Sequence, residues 1–160
     1  MSLLAVVDKL KARFGDTVLD QREFRGEMTV TVKGEEIVAV CRFLKDELGF
    51  NFLTDLCGVD YLGQKPRFMV VYQLYSIGEH LRLRIKAPVE ESDARIDTVS
   101  GVWATANWLE RECYDLLGIV FNGHPDPRRI LMPDDWQGHP LRKDYPVQGP
   151  DRAPYQGRVQ

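Results

Sequence analysis

Apolar side chains recur every three or four residues in three stretches of the chain, which is typical of amphipathic helices. The first stretch covers residues 2–14 and is followed by Gly15, and the second covers residues 35–48 and is followed by Gly49. The third reads NWLERECYDLL and is followed by Gly118. Because glycine readily adopts the left-handed conformation that ends many helices, these glycines are candidate C-terminal caps. We predict a helix for each stretch.

Alternation of apolar and polar residues, the pattern of a half-buried strand, marks five other segments. It is clearest after the turn Ser76-Ile77-Gly78, where Leu81, Leu83, Ile85 and Ala87 alternate with His80, Arg82, Arg84 and Lys86. The dipeptide Arg25-Gly26 separates two further segments as in a hairpin. The segment NFLTDLCGVDY is less regular, since it mixes apolar residues with two aspartates. The predicted strands are residues 17–24, 27–33, 51–61, 67–75 and 80–87.

The predicted order is helix, two strands, helix, three strands, helix, with residues 90–101 as a polar connection. Because the helices fall between groups of strands and not between single strands, this order favours an α+β fold. We predict a mixed, largely antiparallel sheet covered by helices, with an extended proline-rich C-terminal arm. The predicted division is an α+β domain over residues 1–120 and the arm over residues 121–160.

The third helix has two chemically different sides. Asn107 and Glu110 match a capping arrangement at its N-terminus. At 100° per residue, Leu109, Cys113, Leu116 and Leu117 share the side predicted to face the core. Trp108, Arg111, Glu112 and Asp115 share the opposite side. Arg111 and Asp115 are spaced to form an ion pair, so we expect this charged side to face outward.

The predicted arm contains seven of the nine prolines and shows neither helical nor strand periodicity. It nevertheless carries apolar anchors: Ile130, Leu131, Met132, Trp136, Leu141, Tyr145 and Val147. Ordering such a segment costs about 1–2 kcal/mol per residue, and the arm has no core of its own to offset that cost. We therefore expect the arm to dock on the surface of a partner protein.

Composition narrows the range of partners. The net charge is −3, with 21 basic and 24 acidic residues mixed along the chain, so no basic field for nucleic acid is present. The apolar runs are far shorter than the ~20 residues of a membrane-spanning helix, which predicts no direct membrane span. Cys41, Cys57 and Cys113 are odd in number and widely spaced, which favours a reducing, cytoplasmic setting over a disulfide framework.

Catalytic motifs are scarce in this sequence. It has no glycine-rich phosphate loop, dinucleotide fingerprint or G-x-S-x-G elbow. His124, Asp126, Asp134, Asp135 and His139 are of the residue types that bind divalent metals, but their spacing matches no known site. We interpret them as structural hydrogen-bonding residues. A free-standing metallohydrolase using His124, Asp126 and His139 stays open as an alternative.

Two segments resemble the signature of the C subunit of bacterial proton-translocating NADH:quinone oxidoreductase, respiratory complex I: ERECYDLLGIVFNGHPDPRRIL and DDWQGHPLRKDYP. The block LTDLCGVDY is also similar to that family. The resemblance implies a subunit of a complex that transfers electrons from NADH to quinone and couples this transfer to proton translocation. The alternative is a homologous subunit of an energy-converting hydrogenase or of a ferredoxin-dependent quinone reductase.

The resemblance also implies a place for the chain within the complex. It implies no flavin, iron–sulfur cluster or quinone in this chain, with FMN and iron–sulfur clusters in the partner subunits. Those partners would resemble the B, D and I subunits, with the arm running over the D subunit. The chain would be an obligate member of a hetero-oligomer, peripheral on the cytoplasmic side of the inner membrane, and without catalysis of its own.

No catalytic, cofactor-binding or metal-binding residue is therefore predicted. The residues expected at the partner interface or in the family signature are Trp108, Glu110, Arg111, Glu112, Asp115, His124, Arg128, Trp136, His139, Arg142, Lys143 and Tyr145.

Overall fold

A computed structural model describes residues 1–149 of the chain. Within them the helices are α1 (Leu3–Phe14), α2 (Ile37–Asp46) and α3 (Ala106–Leu117). The strands are β1 (Val18–Phe24), β2 (Glu27–Val32), β3 (Phe52–Asp60), β4 (Phe68–Ser76), β5 (Leu81–Val89), β6 (Arg95–Asp97) and β7 (Val120–Asn122). The predicted order of the three helices and first five strands is confirmed.

The first five strands form one sheet in the order β1-β2-β5-β4-β3. The β2–β5 pair is parallel, and the other three neighbouring pairs are antiparallel. The β1–β2 hairpin turns at Arg25 and Gly26, which both have positive φ angles, +53° and +78°. Such angles match the right-handed twist of the two strands. The prediction of an α+β fold with a mixed, largely antiparallel sheet is confirmed.

The hydrophobic core lies between the helices and one face of this sheet. Val30 on β2, Tyr72 on β4 and Ile85 on β5 are fully buried. The helices contribute Val6, Val7 and Leu10 from α1 and Ile37, Val40, Cys41 and Leu44 from α2. Each large apolar side chain buried in this way contributes about 1.5–3 kcal/mol to folding. The periodicity that predicts the elements therefore also supplies the core.

Helix α3 approaches β3 closely at Gly58. A Cβ atom at this position would lie 2.4 Å from Leu117 Cδ1 and 3.2 Å from Ile119 Cδ1. A larger residue at this position would force at least the Leu117 side chain to move, so glycine allows the close approach. Helix α3 thus packs against β3 at the end of the sheet, and the contact at Gly58 positions the C-terminal end of the helix.

The connection predicted for residues 90–101 is wrong in one respect, because it contains a strand. Strand β6 pairs in parallel with β7, and this pairing places Ile96 opposite Phe121, both buried. Each strand has only three residues. A segment this short shows no alternation, so its pairing comes from the tertiary structure.

Residues 123–149 contain no helix or strand in the part of the chain that the structure describes. The proposed domain boundary near residue 120 stays a prediction, and residues 150–160 of the predicted arm lie outside the described residues. Among the described residues, no helix is long and apolar enough to cross a membrane.

Candidate functional site: helix α3 and the segment that covers it

The start of α3 differs from the predicted capping arrangement. The helix begins at Ala106, and its cap residue Thr105 makes no side-chain hydrogen bond. Glu110 does not reach back to the helix start, since its Oε1 accepts a hydrogen bond from Val99 N at 2.8 Å. The predicted end is confirmed, because Gly118 is left-handed and its N–H donates to Tyr114 O.

Asp115 binds the segment over residues 123–149, which has no helix or strand and which we call the covering segment. Its side chain is 0% exposed, and Oδ2 accepts hydrogen bonds from the backbone N–H groups of Ile130, Leu131 and Met132 at 3.0, 2.7 and 2.8 Å. Its Oδ1 pairs with Arg129 Nη1 at 2.7 Å. Burial alone raises the pKa of this carboxyl, but the hydrogen bonds outweigh burial and the net pKa lies below its usual value.

Arg111 also binds this segment instead of pairing with Asp115. Its Nε and Nη2 donate to the carbonyl oxygens of Arg128 and Arg129, both at 3.0 Å. Its guanidinium lies 5.2 Å from the Trp108 ring centroid. The expectation that Arg111 and Asp115 pair and face outward is therefore wrong. The segment covers both side chains, which a helical wheel alone cannot show.

The carbonyl end of α3 is capped by later residues of the same segment. His139 Nδ1 lies 2.9 Å from Asp115 O, and Arg142 Nε donates to Leu117 O at 2.6 Å. Leu141 N donates to Leu116 O at 2.9 Å. Carbonyl groups in the last turn of a helix lack partners within the helix, so these bonds satisfy them. Burial lowers the pKa of His139, which fits a neutral ring donating to a carbonyl.

A second attachment joins the segment to the sheet at Arg67. This side chain is 3% exposed, and its Nε and Nη2 donate to the two carboxylate oxygens of Asp60 at 2.9 and 2.8 Å. Its Nη2 and Nη1 also donate to Asp144 at 2.8 and 3.0 Å. Asp60 further accepts the Lys143 N–H at 2.8 Å. Hydrogen bonds from Arg67 hold the pKa of Asp60 below its usual value.

Asp60, Arg67 and Asp144 were not predicted as site residues. Asp60 lies in the block LTDLCGVDY and Asp144 lies in the block DDWQGHPLRKDYP, so both occur in segments that resemble the family. The signal that could have found them is a charged residue at each end of the turn between β3 and β4. The pairing of Arg67 with a residue 77 positions away is not visible in the sequence.

Several side chains of α3 and the covering segment stay exposed, and we call this set the outer face. Trp108 is 61% exposed and Leu131 and Leu141 are each 60% exposed, while Glu112 and Arg128 are also exposed. The exposure of Trp108 and Glu112 agrees with the helical wheel. Near this face, Lys143 is exposed, Trp136 is half-buried, and half-buried Tyr145 donates from its hydroxyl to Gln137 O at 3.2 Å.

Glu110 and His124 lie on the other side of α3. Glu110 is 0% exposed, and its Oε2 is hydrogen-bonded to Thr98 Oγ1. His124 Nδ1 accepts the Asp126 N–H at 3.0 Å, and its Nε2 lies 3.0 Å from Asn107 O. The predicted core side of the helix is thus only part of the buried surface, because Glu110 is buried too.

The metal hypothesis does not fit this arrangement. The described residues contain no group of three or more His, Cys, Asp or Glu side chains that could hold a metal ion. His124 and His139 bind the backbone, as the structural interpretation predicted. The metallohydrolase alternative is wrong for these residues.

The geometry of this site is that of a structural subunit. Its buried ionic groups hold the chain's own backbone in place, which is a structural task. The family model described as "Respiratory-chain NADH dehydrogenase, 30 Kd subunit" matches residues 30–151, so the chain belongs to this family.

Close relatives carry a more specific name. The chain is 65% identical over 153 residues to the C subunit of NADH-quinone oxidoreductase from Geotalea uraniireducens, an alignment that spans 96% of this chain and 93% of the relative. It is 66% identical over 154 residues to the protein of the same name from Geobacter sulfurreducens, spanning 96% and 95%. The chain is a complex I subunit, and its catalysis exists only as part of the NADH-quinone oxidoreductase complex.

Two solved structures share the fold. The first is "Nqo5 of the trypsin-resistant fragment (1-134)", with a TM-score of 0.71 and 38% identity over 79% of this chain and 99% of that fragment. The second is a chain of the membrane-bound sulfane sulfur reductase, an archaeal respiratory membrane complex. It has a TM-score of 0.78 and 21% identity over 90% of this chain and 85% of its own length. That likeness concerns the fold alone.

Proposed function

We propose that the chain is a docking subunit of the peripheral arm of complex I and contacts partners that resemble the B, D and I subunits. The proposed location is the cytoplasmic side of the inner membrane, with the segment beyond residue 120 running over the D-like subunit. In this arrangement FMN and iron–sulfur clusters are held by partner subunits. The family membership and the names of the close relatives support the proposal.

The observation that carries the docking role is the composition of the outer face. Large apolar side chains at Trp108, Leu131 and Leu141 are exposed, while the charged residues beneath them are used within the chain. Interface centres are enriched in aromatic residues, and tryptophan is frequent among the residues that carry most of the binding energy. Buried Arg111 lies over the Trp108 ring and supports it from within the chain. We propose that the buried charges position the segment and that the exposed apolar residues contact the partner.

The division into a domain and an arm is part of the same proposal. The segment over residues 121–160 would be the docking element, and residues 1–120 the folded support. The trypsin-resistant fragment of the structural relative supports this division, because a fragment covering 79% of this chain kept the fold.

The docking role is tested by comparing two exposed leucines. Leu141→Ala on the outer face is expected to lower the amount of subunit recovered in the purified complex by about tenfold, since interface anchors contribute about 1–2 kcal/mol or more. Leu4→Ala is the matched control, because Leu4 is 57% exposed on α1, away from this face. Recovery is measured by quantitative mass spectrometry of the purified complex. Equal recovery of both variants would contradict the proposed docking face.

The proposed distribution of cofactors has a separate test. The full chain purified alone is expected to show only protein absorbance, without flavin or iron–sulfur bands. A stoichiometric bound flavin or cluster would contradict the proposal and leave the docking test unaffected.

A further inference from the structure

Glu110 is the fully buried carboxylate that the docking role does not use. It lies in the middle of α3 and faces the 98–100 loop on one side and His124 on the other. It also lines a pocket of about 260 Å³ together with Tyr114, Val120 and Phe121. A carboxylate in such apolar surroundings is costly to keep ionised without a cation beside it.

No cation of the described residues neutralises Glu110. Arg111 lines the same pocket, but its guanidinium donates to the carbonyl oxygens of Arg128 and Arg129 and pairs with Asp126 at 3.3 Å. His124 Nε2 is 3.7 Å from Glu110 Oε2. Because His124 Nδ1 accepts the Asp126 N–H, the ring proton is assigned to Nε2, and a second proton on Nδ1 would break that bond.

The other titratable groups that face Glu110 carry no positive charge. They are Cys41 on α2, Tyr72 on β4 and Cys113 on α3, and the negative charge of Glu110 contributes to raising the pKa of each. Burial raises the pKa of all three, so they are neutral around neutral pH. Burial likewise raises the pKa of Glu110 to about 7, although hydrogen bonds from Thr98 and Val99 act in the opposite direction.

The hydrogen bonds around Glu110 can be satisfied in both charge states. Thr98 Oγ1 has one hydrogen and two neighbouring oxygens, Glu110 Oε2 and Ser100 Oγ, the latter at 2.8 Å. When Glu110 is ionised, Thr98 donates to it and Ser100 donates to Thr98. When Glu110 is protonated, it donates to Thr98, and Thr98 donates to Ser100. The two arrangements differ by one proton on Glu110 and by the directions in which the Thr98 and Ser100 hydroxyls point.

We propose that Glu110 is a buried proton-binding site, which takes up and releases one proton while Thr98 and Ser100 reverse the direction of their hydrogen bonds. The proton is the ligand, and it leaves as hydronium or to a solvent base through the partly exposed Ser100. The site goes beyond the docking function, because it joins α3 to the 98–100 loop and does not belong to the outer face. Ionised Glu110 also attracts the Nε2–H of His124, so the proton affects the start of the covering segment.

The direct test is a titration of the full-length chain with carbon-13-labelled glutamate side chains, followed by NMR. The signal of Glu110 is assigned through its covalent correlations to the Glu110 backbone, and its absence in Glu110→Gln checks the assignment. Glu112, exposed on the same helix, is the internal reference. The expected midpoint for Glu110 is about 7, against 4.5 for an ordinary glutamate. A midpoint equal to that of Glu112 would overturn the proposal.

A second measurement uses the pH dependence of unfolding. The folded-state pKa of Glu110 lies above its unfolded value, so the stabilisation from holding the proton is lost as the pH rises through about 7. Gln donates to Thr98 and accepts from Val99 as the protonated acid does. Glu110→Gln should therefore lose less stability than wild type between about pH 5 and about pH 8, and Glu112→Gln should match wild type. Equal slopes for Glu110→Gln and wild type would contradict the site.

A third variant keeps the proposal testable if Glu110→Gln does not fold. Thr98→Val removes a hydrogen bond that favours the ionised carboxylate, so the midpoint of Glu110 in the NMR titration is expected to rise above the wild-type value. An unchanged or lower midpoint would show that Thr98 does not exchange the proton with Glu110.

Discussion

At the residue scale, Asp115 orders a segment that has no hydrophobic core of its own. Three consecutive backbone N–H groups converge on one of its oxygens, and an arginine binds the other. A chain segment without helix or strand otherwise leaves such donors to water. One carboxylate therefore orders Ile130, Leu131 and Met132 and brings the apolar Leu131 to the outer face.

Asp115→Asn tests this role. The substitution leaves Arg129 without its carboxylate and places an amide donor against other donors, so we expect a loss of about 3 kcal/mol in the free energy of unfolding, as for other broken buried pairs. Urea denaturation measures the loss. The control is Asp134→Asn, an exposed position in the same segment, which should change the value by less than about 0.5 kcal/mol. Similar values for both variants would mean that Asp115 does not hold the segment.

The sequence predicts whether some residues of α3 are exposed or buried, but not others. The exposure of Trp108 and Glu112 follows from the helical wheel, which needs only local spacing. The burial of Arg111 and Asp115 depends on residues 14 to 18 positions further along the chain, so the wheel assigns both to solvent. Charged residues are rarely buried unless paired, and the sequence does not display the partner. The resemblance to a family pointed to both residues without showing their contacts.

At the element scale, the end of α3 is shaped by the segment that packs on it. Gly118 has a φ of +74°, and a Cβ atom there would lie 2.6 Å from Arg142 Nη2 and from His139 Cδ2. The helix periodicity and the glycine predicted where α3 ends. The close contact could not be predicted, because Arg142 and His139 lie in a segment without periodicity.

Comparing Gly118→Ala with Gly63→Ala measures how much the contact with Arg142 and His139 adds to the cost of a left-handed alanine. A left-handed alanine costs about 1–2 kcal/mol, and displacement of Arg142 and His139 should add to that cost. Gly63→Ala is the matched control, since Gly63 has a φ of +86° and a Cβ atom there would have nothing within 4 Å. We expect Gly118→Ala to lose more stability in thermal unfolding and to be cut faster by trypsin within residues 123–149. Equal losses of thermal stability in the two variants would mean that the contact of Arg142 and His139 with Gly118 adds no cost.

At the scale of the whole molecule, the two attachments lie at different places on the fold. The first is the C-terminal half of α3, and the second is the buried Arg67 beside β4. The covering segment therefore fixes the position of α3 relative to the sheet, which adds to the close contact at Gly58. The element order and fold class could be predicted because they depend on local patterns. The path of the covering segment could not, since it depends on ion pairs across 77 residues.

The strand order also divides the sheet into two continuous pieces. One piece is the β1–β2 hairpin, the other is the β3–β4–β5 meander, and the single parallel ladder between β2 and β5 joins them. No turn connects the two sides of that ladder directly, so we expect the two pieces to associate even without a covalent link between them. Peptides covering residues 1–49 and 50–160 are therefore expected to reassemble when co-expressed, with co-purification and recovered circular dichroism as the measurement. Failure to associate would show that the loop between α2 and β3 is needed to bring the two pieces together.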